Sequence, residues 1–476
     1  MNVGVEVTTG LRTGPTNAGP PSGIFQIAGI TETGPVGQSV RVKSFGQYST
    51  LFGGRTPYSS AMLDTARLFF EEGGADLIVS RAVGPGANAG SIVLQDSEGE
   101  DTLRVEAMYA GGYSAEYRVE VTANSGRVTL SVTKDGEQLA VFRDKDSINA
   151  LITAAAGNRY VRLVDLGSGE LPAASNGALT EGTDDRGNVT MTELVAAMET
   201  AGEDIAGGAV AAPGYPADVA GSALLDYATR ANAIALLSPA EGASEAEAIQ
   251  AADALAGSGS AAYAGLFYPH MVIPDASGTR VVSPEGYVAA VRARAFNQYG
   301  FWAAPAGERA TTLWANGTVT VVDPAMNNRL SDALVNGIAT VNGRTRLYNW
   351  VSLSTDRENF ALLSARDTLN NLVVQIKRVL EPYVFNTVDG RGHLLSEIEG
   401  AAVGVLDPIA TAGGFFARTN GDDVIDPGYR VVVDQTNNDV ASLEQNQVLV
   451  DVAVRLSPVA ALIKAEIVKV PLAAAL

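Results

Sequence analysis

The hydrophobic pattern changes character several times along the chain. Val3, Val5 and Val7 alternate with Gly4, Glu6 and Thr8, the period of a strand, and no partner run follows nearby. From Thr8 to Gly23 the sequence TTGLRTGPTNAGPPSG is rich in Gly, Pro, Thr and Asn, and the consecutive Pro20 and Pro21 exclude helix. The pattern predicts a terminal strand on a flexible arm. IFQIAGI (24–30) then reads as a buried strand, and GPVGQSVRVKS as a turn and a second strand. SSAMLDTARLFFEEGG reads as a helix: Met62, Ala66, Phe69 and Phe70 fall at i, i+4, i+7 and i+8, and Gly73-Gly74 gives the stop. LIVSRAV (77–83) is a further strand, closing a β-α-β unit that places 24–30 and 77–83 parallel in one sheet.

Residues 91–180 carry short alternating runs, TLRVEAM, YRVEVTA and GRVTLSVTKDGEQLAVF, with Asp135-Gly136 as a hairpin turn signal. They read as a small, mostly β insertion. A polar stretch (174–188) returns the chain to an α/β rhythm: AGGAVAAPG, a helix through ALLDYATRA, strand AIALLSP, helix SEAEAIQAADALA and strand AAYAGLFYP. Beyond a low-charge region reaching about Asn349, two helices stand out. Leu369, Leu372, Val373, Ile376, Val379 and Leu380 share one stripe ended by Pro382, and HLLSEIEGAAVGVLDPIATAGG (393–414) closes on Gly413-Gly414. VLVDVAVRL (448–456) reads as a strand. ALIKAEIVKVPL (461–472) alternates Ile463, Ala465 and Ile467 with Lys464, Glu466 and Val468, and its β-branched content favours strand over helix. The predicted fold class is α/β and α+β multidomain, a mixed-sheet α/β core with a β-rich inserted domain and extended terminal strands.

The composition narrows the chemistry. The chain has 476 residues, 46% of them hydrophobic and 18% charged, enough apolar material for several folded domains. Its formal charge is 33 − 53 = −20. That charge repels phosphates over a Debye length of about 8–10 Å, so direct nucleic-acid binding is not expected. Cysteine is absent, which removes disulfides, thiolate catalysis and cysteine-ligated zinc or iron. The N-terminus lacks a basic start followed by an apolar run, and no stretch approaches the ~18–20 apolar residues of a membrane span. A soluble chain made in a cytoplasm, without membrane insertion, is expected.

Catalytic equipment is sparse. His270, between prolines in YPHMVIP, and His393, at the start of a predicted helix, are the chain's two histidines, and neither is accompanied by a GxSxG elbow. Both read as structural. HExxH and GK[ST] are absent. GPGANA (84–89) matches the minimal dinucleotide fingerprint after a strand, but Pro85 and the lack of a following helix favour a domain-entry turn. Asp422, Asp423 and Asp426 offer hard oxygen ligands for calcium without the EF-hand spacing, so a solvated loop is expected. No catalytic residue, cofactor or metal is predicted, and the chain is not expected to be an enzyme.

Several stretches, in a fixed order, resemble the contractile tail sheath proteins of phages and related injection systems. GIFQIAGITETGPVGQSVRVKSFGQYSTLFGG followed by LFFEEGGADLIVSRAV is similar to the family's opening strand, "GP" turn, "FGG" and "FF..GG...VVR" pattern. AMYAGGYSAEYRVEV (107–121) resembles "A..pG.WGN.l.V.V", with Tyr113, Ala115 and Glu116 in place of Trp, Gly and Asn. FYPHMVIPDASGTRVVSPEGYVAAVRARAFNQYGFWAAPAG (267–307) is similar to "YP…vPPSG.vAG..AR.D…GvWkAPAN", with Phe296 near the expected Asp and Gly307 for Asn. NGRTRLYNW (342–350) matches "G.rvWGaRT" in part, and the C-terminal sequence from Gly428 follows the family's closing pattern, "P.A.fI" included.

The resemblance implies a structural subunit that stacks as hexameric rings around a tail tube and contracts to drive the tube through a target envelope, delivering genome or effectors. It implies a homo-oligomer with a tail tube protein, baseplate and tail terminator proteins as partners, located in the tail sheath of a virion and assembled in the host bacterial cytoplasm. It also implies strand exchange between subunits through Val3, Val5, Val7, Val450, Val452, Val454, Ile463, Ala465 and Ile467. An unpaired strand on an arm is chemically suited to this, because it exposes a row of N–H and C=O groups. The implied organisation is an arm (1–23), an inner tube-facing domain (24–86 plus 346–447), an outer β-rich insertion (87–184), an α/β middle domain (185–345) and a C-terminal arm (448–476). The competing readings are a non-contractile shell or adhesin subunit and a hydrolase using His270.

Overall fold

The near-continuous apolar runs of the sequence come together in one eight-stranded sheet: β1 (Phe25–Gly29), β2 (Val40–Val42), β3 (Leu77–Arg81), β4 (Ala209–Ala211), β5 (Ile234–Leu237), β6 (Ala264–Tyr268), β7 (Val335–Val341) and β8 (Arg344–Leu347). The computed structural model describes residues 23–276, 278–421 and 423–461. Val3, Val5 and Val7, and likewise Ile463, Ala465 and Ile467, lie outside the described residues, with the terminal strands expected there. The spatial order is β8-β7-β6-β5-β4-β1-β3-β2. The six inner strands are parallel, and β2 and β8 run antiparallel at the edges. The β-α-β unit of the sequence is present, with Phe25 opposite Leu77 and Ile27 opposite Val79.

Helices cover both faces, which is why these strands read as unbroken apolar runs rather than alternating ones. Numbered along the chain, the principal helices are α1 (Phe45–Phe52), α2 (Ser60–Glu71), α3 (Ala217–Arg230), α4 (Glu245–Ala256), α5 (Glu285–Tyr299), α6 (Leu363–Leu380) and α7 (His393–Thr411). Phe25, Ile27, Leu77, Val79, Ile234, Leu236 and Phe267 face α2 and α5. Ala28, Ile78, Val210, Ala235, Leu237 and Leu266 face α3, α4 and the helix Met191–Glu199. Gln26, buried between strands, is satisfied by donating to Ser80 Oγ (2.8 Å) and accepting from Tyr227 Oη (2.9 Å). Because β1 to β3 and the strands after residue 185 share this sheet, the boundary drawn from the sequence between 24–86 and 185–345 runs through a continuous sheet.

Residues 91–178 make two further sheets, one from Ser91–Gln95, Asp101–Ala107 and Val161–Asp165, the other from Ser175–Ala178, Tyr117–Asn124, Arg127–Lys134 and Glu137–Lys145. They enclose their own core around Leu103, Val105, Val119, Leu130, Val132 and Leu151. The hairpin turn at Asp135-Gly136 is where the sequence puts it, with φ of 52° and 81°, both in the left-handed region.

Several helices escape the sequence pattern, among them α1 and α5. α1 is two turns long, started by Ser44 Oγ accepting from Gln47 N (3.2 Å) and held by Tyr48 and Phe52, whose ring centroids lie 5.4 Å apart. α5 is buried nearly all round, from Glu285 to Ala293, so it has no polar stripe to mark its period. It lies so close to α2 that a Cβ at Gly286 would stand 2.5 Å from Thr65 O.

Candidate assembly surface

The last hundred described residues pack as a separate unit on the end of the sheet. α6 is amphipathic in an unusual sense. One face buries Ser364, Asp367, Thr368, Asn370 and Asn371 in its first half, and another, from Leu369 through Leu372 to Ile376, joins an apolar cluster with Phe296, Phe301, Trp302, Leu406, Ile409 and Phe415. The polar half docks on the amino ends of the sheet strands. Asn370 Nδ2 donates to Ala233 O (3.0 Å), and Arg292 of α5 donates to both Gly207 O (2.8 Å) and Asp367. Val373, placed in the apolar stripe by its spacing, is instead half exposed, because that flank of α6 has no neighbour.

α7 begins at His393 and ends at Thr411, three residues short of the predicted span, and Gly413 and Gly414 then donate back to Ala410 O and Ile409 O as the closing turn. Against it lies an antiparallel hairpin of Tyr429–Val432 and Asp451–Val454, with Val452 opposite Val431 and Val454 opposite Tyr429. The predicted strand over 448–456 is thus shorter than its apolar run, and its partner belongs to the same chain. Val450 packs beside Leu394, Leu395 and Ile398, and Val454 beside Phe415, whereas Val452 remains 37% exposed. Phe416 N donates to Arg455 O (2.7 Å) and Ser457 N to Gly414 O (3.1 Å), which extends pairing beyond the end of the strand. Among the described residues neither strand of this hairpin pairs with a third strand.

Apolar exposure is concentrated in the same part of the chain. Of the eighteen large hydrophobic residues exposed among the described residues, ten lie between Val373 and Val459. Ile425 is 67% exposed and Val440 72%; Phe385 is fully exposed and sits at φ 66°, a left-handed conformation uncommon for an aromatic residue.

The other candidate residues of the sequence are accounted for separately. His393 stands exposed at the first turn of α7, its Nδ1 2.9 Å from Asp389 Oδ2. Gly86 N donates to Asp185 Oδ2 (2.8 Å), and the 84–89 turn leads into a strand rather than a helix, so no pyrophosphate cradle forms there. Asp426 pairs with Arg455 (3.0 Å), whose hydrogen bond holds its carboxyl below the usual range. Asp423 is exposed, and Asp422 lies outside the described residues. Among the described residues no group of three His, Asp or Glu is arranged to hold a metal. The surface offers main-chain edges and apolar side chains, the chemistry of association.

No protein-family model and no curated protein sequence matches the chain. Solved structures do. The sheath tail protein of Desulfitobacterium hafniense is 14% identical, with a TM-score of 0.60 over 90% of this chain and 94% of that one. The chain has the contractile sheath fold. The sheath complex of an extracellular contractile injection system, PVC, in its contracted state superposes with a TM-score of 0.55 at 14% identity, covering 98% of this chain and 99% of its own. A chain of the anti-feeding prophage baseplate in its contracted state gives 0.59 at 18%, covering 99% and 98%.

Proposed function

We propose that the chain is the subunit of a contractile sheath, which polymerises as stacked hexameric rings around a tail tube and shortens to drive that tube through a target cell envelope, delivering genome or effectors. The observation that supports this most strongly is the agreement of fold over 98% or more of the chain with a sheath complex in its contracted state. The concentration of exposed apolar residues and open strand edges in the 373–459 unit supports self-association through that unit. In this reading the terminal segments exchange strands with neighbouring copies, using Val3, Val5 and Val7 at one end and Val450, Val452, Val454, Ile463, Ala465 and Ile467 at the other. Tube, baseplate and terminator proteins are its further partners. The particle is a phage tail or a headless injection device assembled in a bacterial cytoplasm. The energetic requirement is that two lattice arrangements of one fold differ in free energy with a barrier between them.

Electron microscopy of the purified chain tests this reading. Hollow tubes or helical fragments are expected, and strictly monomeric behaviour at high concentration would refute it.

A further inference from the structure

A cavity of about 320 Å³ opens where the chain leaves the carboxyl ends of β4, β5 and β6, lined in turn by Gly214 to Pro216, Ser238 to Glu241 and His270. The strand order reverses next to it: the chain runs from β1 to β3 on one side of the sheet, then from β4 through β5 and β6 on the other. Crevices outside the carboxyl ends at such a reversal are the usual ligand positions of open α/β sheets. The volume is at the lower end of the range for small-molecule sites.

Three features of the wall point to an oxyanion. Arg55 and Arg280 line it, both paired with Asp64, Arg280 at 3.3 Å. The Asp64 side chain is 6% exposed while those of Arg55 and Arg280 are 33% and 26% exposed, so the carboxylate lies deeper than the two guanidinium groups, each of which carries five N–H donors, more than its ion pairs use. The second feature is the start of α2, whose Ser60 and Ala61 line the cavity. Ser59 at the cap position makes no capping hydrogen bond, its hydroxyl donating instead to Gly54 O (3.0 Å), so no cap side chain occupies the first-turn N–H groups. The third is His270. It is 7% exposed, lines the cavity, and its imidazole has no hydrogen-bond partner among the described residues. Burial lowers its pKa to about 4, so the ring is neutral near pH 7 and can give one hydrogen bond and take another. The remaining charged neighbours are Asp275, which pairs with Arg280, Glu241, exposed at the rim, and the buried Glu285, which accepts from the hydroxyl of the lining Ser238 and whose carboxyl burial pushes toward the neutral form.

We propose that this cavity binds a phosphate group, free or carried by a small molecule, with Arg55, Arg280 and the first turn of α2 holding the phosphoryl oxygens and His270 hydrogen-bonding the same group or its ester oxygen. The site ties α2 to the β4–α3 and β5–α4 loops and to the segment after β6, and it does not depend on the assembly reading. Titration calorimetry of the full chain with inorganic phosphate and, separately, with glycerol phosphate tests it, chloride at matched ionic strength serving as the reference. Saturable binding of one phosphate per chain is expected. Arg55→Ala should weaken it about tenfold by removing charge-assisted hydrogen bonds. Glu241→Gln should tighten it by removing a like charge from the rim, and at an exposed position that variant folds even if Arg55→Ala does not. Tighter binding of glycerol phosphate supports a phosphorylated small molecule as the occupant, and tighter binding of inorganic phosphate supports the free ion. Absence of saturable binding to either probe, or affinity unchanged in both variants, overturns the proposal.

Discussion

Asp367→Ala should be among the most damaging single substitutions in the chain, and the structure says by how much. Asp367 and Arg292 have side chains 1% exposed and meet in a two-pronged pair, Nε to Oδ2 at 2.7 Å and Nη2 to Oδ1 at 2.6 Å. Removing the carboxylate leaves a guanidinium that stays charged, in an interior where it keeps only Gly207 O at 2.8 Å and the face of Phe296 at 4.2 Å. Breaking a buried pair from one side costs about 3–5 kcal/mol, and the two surviving contacts place the expected loss near ~3 kcal/mol. Urea unfolding read by tryptophan fluorescence, with the protein kept dilute enough to stay unassembled, measures it. Trp302 lies in the α6–α7 cluster and Trp350 in the core of the sheet, so the two report the two sides of the joint. The double variant Arg292→Met/Asp367→Leu is the control: removing both charges should restore stability to within about 1 kcal/mol of the parent. An Asp367→Ala midpoint indistinguishable from the parent refutes the burial of the pair. A double variant as unstable as the single one refutes the unpaired charge as the cause.

Three further outcomes follow. With a folded pKa of about 4 against an ordinary 6.5, His270 disfavours proton uptake by the folded chain, so its contribution is fully present above pH 6.5 and declines as pH falls toward 4; the 2.5-unit gap amounts to about 3 kcal/mol, and His270→Gln should flatten that part of a stability–pH curve measured by chemical denaturation. Deleting 1–20 or 459–476 should leave a folded body, judged by circular dichroism, that forms no long tubes in electron micrographs; tubes from either truncation would remove strand exchange as the link between copies. At a net charge of −20, polymer yield measured by sedimentation should rise with ionic strength, and a yield independent of salt would show that like-charge repulsion does not limit assembly.

What the sequence reveals of this fold depends on whether the burial of a segment has a direction. α2 shows its period through Met62, Ala66 and Phe69, although it buries more than that stripe, from Met62 to Ala66 as well as Leu68 and Phe69. α5 is enclosed on every side, so Tyr287, Val288, Ala289 and Ala290 follow one another without period, and Arg292 looks like a solvated residue although it is 1% exposed. The first half of α6 misleads in the opposite way: Asp367, Asn370 and Asn371 read as a wet face but are buried because Asp367 pairs with Arg292 of α5 and the two asparagines donate to carbonyls just before the strands. The large sheet is invisible as one object because its order, with β4 next to β1, joins residues nearly two hundred positions apart. The same separation hides the cavity. Arg55 and His270 are ordinary in their own surroundings, and only the fold brings them to one opening. The 448–456 run is legible as a strand, but nothing local identifies Tyr429–Val432 as its partner.

The distribution of exposed apolar side chains bears on how association could be cooperative. Val424, Ile425, Val440 and Phe385 are each more than 60% exposed, and covering each of them would contribute roughly 1.5–2 kcal/mol, so one neighbour covering all four gains about 6–8 kcal/mol. Bringing two chains together costs an estimated 4–15 kcal/mol in lost freedom, before the repulsion between two bodies of charge −20 is added. A single such contact is therefore near balance. Each further contact made by a chain already in place avoids most of that cost, because the second engagement is intramolecular in effect. In the proposed sheath, pairs of copies would then be scarce and extended lattices stable, and the same weakness of the individual contact would permit the lattice to exchange one set of contacts for another without its subunits unfolding.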